Sequence, residues 1–499
     1  MIATHLPALQ IVVPLVSAPI CLLLRRSGLA WALASIVSWA ALACAALLLQ
    51  QVLSSGPISY HLGGWAPPWG IEYRIDAVNG FVLLIVAAIG AVVMPYARVS
   101  VAHELPEEQH ATFYTALLLC LTGLLGVTIT GDAFNLFVFL EISSLSSYVL
   151  IALGRDRRAL TAAFQYLVMG TIGATFIVIG VGLLYMVTGT LNMLDLAERL
   201  PPMSENRTVL AAFAFLTVGA GLKLALFPLH FWLPNAYAYA PSAVTAFLAA
   251  TATKVSIYIL LRFFFTVFGA ADMLELGTLE KLLIPLGVAA ILVCSTVAIF
   301  QTDVKRMLAY SSVAQVGYIV LGIGFASTTG LTASIVHLFN HAMTKGGLFL
   351  ALGCVVLRLG SARLESLEGL GRRMPLTMFA FVLGGLSLIG VPLTAGFISK
   401  WMLVQAALEQ DNRFLAAAVA AVILIGSLLA IVYIWRVVEV AYFRPAPEGD
   451  GEGEIAEAPL SMLIPTWFLI GASIYFGIDT SLTLGVAKRA AELLLGGGA

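Results

Sequence analysis

Residues 208–234 read TVLAAFAFLTVGAGLKLALFPLHFWLP. The run is long enough to cross a bilayer as a helix, which takes about 20 mostly apolar residues. Two features set it apart from a plain anchor. Lys223 lies inside the apolar stretch, where a charge costs about 2.5–3.5 kcal/mol on the insertion scale. Pro228 and Pro234 follow within about three turns, and a proline removes a backbone donor and crowds the preceding turn. The helix is therefore expected to break, and its freed backbone groups must face protein or a water-filled cavity.

The rest of the chain repeats this character. Of 499 residues 60% are hydrophobic and 11% charged, against about 25% charged in a soluble domain. A soluble fold cannot bury that much apolar surface. A transmembrane β-barrel would show short alternating segments rather than long apolar runs. The net charge of −1 and the lack of a basic block argue against nucleic-acid binding. What remains is an all-α polytopic membrane protein. The five cysteines stand singly in apolar runs, a spacing that supports neither a disulfide framework nor a metal site. No nucleophile triad, metal cluster or phosphate loop marks an enzyme, and no residue set asks for a cofactor.

About fourteen spans are expected, near 6–24, 29–53, 77–97, 112–130, 132–153, 162–188, 208–229, 242–267, 283–301, 304–324, 330–357, 376–408, 413–443 and 460–485. In the first, Arg25 and Arg26 follow the apolar run, so it reads as an anchor and not a signal peptide. With the N-terminus outside, fourteen Lys/Arg fall on the inner side and eight, Arg262 among them, on the outer. Lys305 counts as an inner charge, and the acidic segment Glu448–Glu457 reads as a solvated inner linker. Both termini are then outside. The organisation reads as an N-terminal three-helix segment (1–111), two five-span blocks (112–267 and 268–443), and a linker with the last helix (444–499). An odd span number inverts the second block relative to the first, as in many transporters. The fourth span of each block carries a proline break, at Pro228 and at Pro392.

Four lysines remain unused by orientation: Lys223, Lys254, Lys345 and Lys400. Glu141 is the one carboxylate near mid-depth in the first block, and it is expected to pair with Lys223. Lysine can release its proton when desolvated, whereas arginine stays charged. The span 330–357 adds His337, His341 and Lys345 at i, i+4 and i+8, with Asn340 and Thr344 on the same side. Such a stripe is suited to carrying protons, because imidazole titrates near neutral pH. Zinc is the rival for two histidines at i, i+4, but no third ligand lies nearby in sequence. A static reading of each group also stands: a helix-locking ion pair, a satisfied core histidine. The serines 143, 144, 146 and 147 beside Glu141 suit close helix packing somewhat better than hydration.

These residues resemble a known family. Phe139-Leu140-Glu141-Ile142, Gly221-Leu222-Lys223 with the Pro228–Pro234 run, Ala240–Ala246, Lys254, the His337–Lys345 stripe and Gly396-Phe397-Ile398-Ser399-Lys400 are similar to the antiporter-like subunits shared by Mrp-type sodium/proton antiporters and respiratory complex I. The resemblance spans about residues 70–445. It implies a fourteen-helix core with inverted five-helix repeats and proton movement along a mid-membrane row. By position, Glu141 and Lys223 form the gating pair, and Lys254 and His337 link to the terminal Lys400. Lysine at 400 differs from the similar complex I M-type subunit, which places glutamate there, and the chain lacks the long C-terminal extension of the largest members, including the Mrp A-type. Of the remaining Mrp D-type and complex I N-type subunits, the segment 165–185 looks more like the D-type. The implied partners are other integral-membrane subunits, protons, Na⁺ through the complex, and the lipid of a bacterial inner membrane. A self-contained solute carrier is the alternative of a different class.

Overall fold

The computed structural model describes residues 3–24, 26–269, 276–445 and 456–496. Arg25 and most of the acidic linker, 446–455, lie outside the described residues. The chain opens with α1 (Leu6–Leu24) and α2 (Ser27–Ser55), then a hairpin of β1 (Ile58–His61) and β2 (Glu72–Ile75). The strands are antiparallel, with Ile58 opposite Ile75. There follow α3 (Ala77–Glu104), α4 (His110–Ile129), α5 (Ala133–Ala152), α6 (Arg158–Thr188), the short α7 (Met193–Arg199), α8 (Arg207–Lys223), α9 (Trp232–Tyr239) and α10 (Ser242–Leu261). After them come α11 (Leu276–Ala289), α12 (Ser295–Ile299), α13 (Val304–Gly324), α14 (Thr328–Leu359), α15 (Leu370–Arg373), α16 (Pro375–Ile389), α17 (Ala395–Leu408), α18 (Arg413–Val438), α19 (Leu460–Ile478) and α20 (Ser481–Leu494). Among the described residues, twelve continuous helices are long and apolar enough to cross a membrane. The broken pairs α8–α9 and α16–α17 supply two further crossings.

Proline and local backbone explain the breaks. In the first, residues 224–231 leave the helix, with Ala225 in the left-handed region at φ 57°. In the second, 390–394 do so, with Leu393 at φ 73°. A left-handed non-glycine residue is uncommon and needs its surroundings to hold it. The freed carbonyls find partners: the Trp232 indole N–H donates to Leu222 O at 3.0 Å. Trp232 is in turn stacked on Tyr166 with ring centres 3.9 Å apart.

Three expectations change. The span expected at 208–229 ends its first helix at Lys223 and resumes to Tyr239. The last span stops at Ile478, where Asp479 leaves helical geometry and accepts from Ser481 N–H at 3.0 Å. Residues 481–485 begin the separate α20, whose buried face (Val486, Ala487, Ala490, Ala491, Leu494) packs on α14 and α3. Thirdly, Glu457 is no free linker acid. Its carboxylate caps α16, accepting from Leu376 N–H at 2.6 Å and Thr377 N–H at 3.1 Å. Free amides at a helix start attract a carboxylate.

The core forms around α14, which packs on α3, α10, α13, α16, α17, α19 and α20. Residues 330–355 of it are buried without exception. Small residues let other helices close up. Gly219 of α8 faces Gly173 of α6 so tightly that a Cβ there would meet Gly173 O at 2.7 Å.

Candidate functional site

Lys223 is the last residue of α8, held at the break and 3% exposed. Its Nζ lies 3.6 Å from Glu141 Oε1 on α5 and donates to Ser144 Oγ at 2.7 Å. Ser144 Oγ in turn donates to Leu140 O at 2.7 Å. This corrects the packing reading for one of the four serines: Ser144 lies one helical turn from Glu141 and so reaches the same ammonium. The Glu141 side chain is 24% exposed, so one end of the pair looks outward from this chain.

Lys254 on α10 is fully buried and donates to Ala249 O at 2.5 Å, with Thr253 Oγ1 at 3.4 Å. Thr251 turns away to Phe247 O. On α14, His337 holds Ser399 Oγ on Nδ1 and Gln315 Oε1 on Nε2, each at 2.8 Å. The His341 ring lies nearly parallel to it, with centres 6.3 Å apart, and both its nitrogens are buried without a hydrogen-bond partner. Lys345 reaches α13, donating to Leu308 O at 2.8 Å and to Ser311 Oγ. Asn340 stays with His337, reaching Ser399 Oγ at 3.3 Å as well as Ala395 O at 2.6 Å. Thr344 instead faces α16 and α19, through Ser387 and Ser473. The expected stripe thus holds at its His337 end and diverges between Thr344 and Lys345, because one residue step turns a helix by about 100°.

Lys400 lies beyond the second break, on α17. It donates to Leu388 O at 2.8 Å, Ile389 O at 3.1 Å and Ser427 Oγ at 3.0 Å. The two carbonyls close the C-terminal end of α16, where the helix dipole favours a cation. Tyr318 adds its ring face, 4.7 Å from the ammonium. Of the four lysines only Lys223 has a carboxylate within 4.0 Å among the described residues. Pro228 and Pro392 lie in the two breaks, and Pro234 within α9.

Two orientation charges are also buried. Lys305 is 5% exposed and sits 3.3 Å from Ser242 Oγ and 3.4 Å from Ala240 O, under the start of α10. Arg262 is bonded to Asp76 Oδ2 at 2.6 Å and to Tyr258 Oη at 3.0 Å. Their positions at span ends disguised them as loop charges. Gln315, Ser399 and Ser427 carried no role in the sequence reading. A glutamine inside an apolar helix was the visible signal for the first. Among the described residues no group of three His, Cys, Asp or Glu side chains could hold a metal.

A multi-pass helical protein with two broken helices and ionisable groups at both breaks and between them defines the class: a membrane subunit built around buried titratable groups. The chain belongs to the NADH:quinone oxidoreductase/Mrp antiporter transmembrane family, whose model matches residues 130–426. It is 45% identical to the N subunit of an NADH-quinone oxidoreductase from Desulforudis audaxviator, over 92% of this chain and 93% of that one. It is 28% identical to the D-type chain of an Na⁺/H⁺ antiporter from Bacillus subtilis, over 98% and 96%. The solved Mrp complex from a Dietzia species contains a chain that superposes with TM-score 0.88 at 27% identity, covering 99% of this chain and 98% of that one.

Proposed function

We propose that this chain is a proton-translocating membrane subunit of a multisubunit monovalent cation/proton antiporter. The observation that carries the reading is the set of buried bases on facing helices. It starts at Glu141–Lys223, runs through Lys254, His341, His337 and Lys345 on adjoining α10 and α14, and ends at Lys400. Lys223 stands at the first break, Lys400 meets two freed carbonyls at the second, and hydroxyls at Ser144, Ser311, Ser399 and Ser427 lie beside the bases. A proton can pass between such groups when the ammonium of one meets a neutral neighbour. Opening of the Glu141–Lys223 pair leaves two uncompensated charges, which makes it a gate.

The two halves are read as inverted repeats, 112–267 and 268–443, each a half-channel with its own broken helix. The Lys/Arg excess puts the start of α1 and the end of α20 outside a bacterial inner membrane. The chain itself performs no redox chemistry in this reading. Its partners are other integral-membrane subunits, with sodium crossing through the complex.

The test is the assembled complex in vesicles, carrying Lys223→Ala or Glu141→Ala and assayed for Na⁺-driven pH change. Loss of at least tenfold is expected for each. Unaltered exchange in both removes the proposed gate. The oxidoreductase relative at 45% identity favours a second reading: a proton-pumping subunit of a complex I-like assembly. Co-purified flavin or iron–sulfur subunits support that one, and small hydrophobic subunits alone support the antiporter.

A further inference from the structure

A groove of about 520 Å³ opens between α2, α3, α4 and α14, at the face opposite the chain termini. Ser27, Trp31, Arg98, His103, Tyr114 and Leu357 line it. The Arg98 guanidinium lies over the Trp31 ring, 4.6 Å from its centre. Trp31 is itself fixed, donating from its indole N–H to Met94 O at 2.9 Å. Stacking uses the face of a guanidinium and leaves its N–H edge free. Among the described residues Arg98 forms no ion pair, and no carboxylate lines the groove. Arg26, exposed at the start of α2, stands beside it without a side-chain capping bond.

A second groove of about 190 Å³ continues toward mid-membrane along the same two helices. Trp39 lies two turns beyond Trp31 on α2, and Pro95 and Val92 lie one and two steps of three residues beyond Arg98 on α3. Ile464, Pro465 and Phe468 of α19 close its far side, and it presents no polar surface. One end is cationic and aromatic at headgroup depth, and the other is apolar at acyl-chain depth.

We propose that the paired grooves bind one phospholipid with an anionic headgroup. The lipid phosphate meets the Arg98 N–H edge at the level of Ser27, with His103 and Arg26 at the rim. An acyl chain runs along Pro95 and Val92 against Trp39 and Phe468. Charge selects the lipid class: a zwitterionic headgroup brings its own cation to a site that already holds the Arg98 guanidinium. Basic pockets between membrane helices are suited to anionic lipid headgroups. The site is independent of the proton-transport reading.

The test is native mass spectrometry of the delipidated, purified complex titrated with phosphatidylglycerol or phosphatidylcholine. Wild type is expected to retain phosphatidylglycerol in preference. Arg98→Gln is expected to weaken that retention about five- to tenfold and Arg98→Lys to keep most of it. Trp39→Ala is expected to weaken both lipids without changing the preference. Should Arg98→Gln fail to assemble, Trp31→Leu carries the same expectation, since it removes the ring beneath the guanidinium. Equal retention of the two lipids by wild type, or wild-type retention by Arg98→Gln, Trp31→Leu or Trp39→Ala, overturns the proposal. Displacement of the lipid by millimolar glycerol 3-phosphate overturns it too, by assigning the cationic end to a free phosphate ester.

Discussion

At the scale of single residues, the buried bases differ in how they are held. Lys223 has a carboxylate and a hydroxyl, and Lys400 has two helix-end carbonyls, a hydroxyl and a ring face. His337 is fixed at both nitrogens, which sets its ring plane and its distance from His341. Ser399→Ala removes the Nδ1 partner and leaves a buried ring nitrogen unpaired. The expected cost is about 1–3 kcal/mol, read as a lowered unfolding midpoint of the purified complex, with slowed proton transfer. An unchanged midpoint and rate mean that His337 is not positioned by this bond. Charge scarcity made the bases themselves legible, since a lysine in an apolar run has few bland explanations. Their partners were not. Ser399 is 62 residues from His337 and Gln315 is 22, and only packing of α13, α14 and α17 brings the three together.

Among the elements, the two broken helices reward comparison. Proline announced both, and both contain a left-handed non-glycine residue. Their freed carbonyls are met differently: an indole N–H at Leu222, and the Lys400 ammonium at Leu388 and Ile389. Trp232→Phe keeps an aromatic ring against Tyr166 but removes the N–H, so a loss of about 1 kcal/mol is expected. Trp232→Ala removes the ring as well and is expected to cost about 3–5 kcal/mol. Chemical denaturation in detergent separates the two; unchanged stability in Trp232→Phe means the indole bond contributes nothing, and equal losses mean the ring adds nothing beyond it. Helix ends were the weakest part of the sequence reading. Apolar content runs on from α19 into α20, and only the Asp479 turn separates a crossing helix from an amphipathic one.

Across the whole molecule, α10 is tied at both membrane faces. Lys305 sits under its start, and beyond its end Arg262 joins Asp76 at the start of α3. Asp76 also caps α3, accepting from Val78 N–H at 2.9 Å and Asn79 N–H at 3.2 Å. Arg262→Gln leaves a buried carboxylate alone, and a loss of about 3–5 kcal/mol is expected. Adding Asp76→Asn recovers much of it, because asparagine still caps a helix and no lone charge remains. A double-mutant cycle on unfolding midpoints checks this, and additive losses exclude coupling between the two.

The sequence by itself determined the class, the crossings, the two breaks and the identity of the buried bases. Each follows from transfer energetics or from proline's missing donor, which act on a residue wherever it sits in the chain. Tertiary structure alone decided which charges near span ends are buried, as at Lys305 and Arg262, and that Glu457 caps α16. It alone turned Thr344 away from Lys345 on α14 and aligned the Arg98 and Trp39 grooves along α2 and α3. These depend on which helices pack side by side. That choice is made by contacts between residues tens to hundreds of positions apart, and local composition carries no record of it.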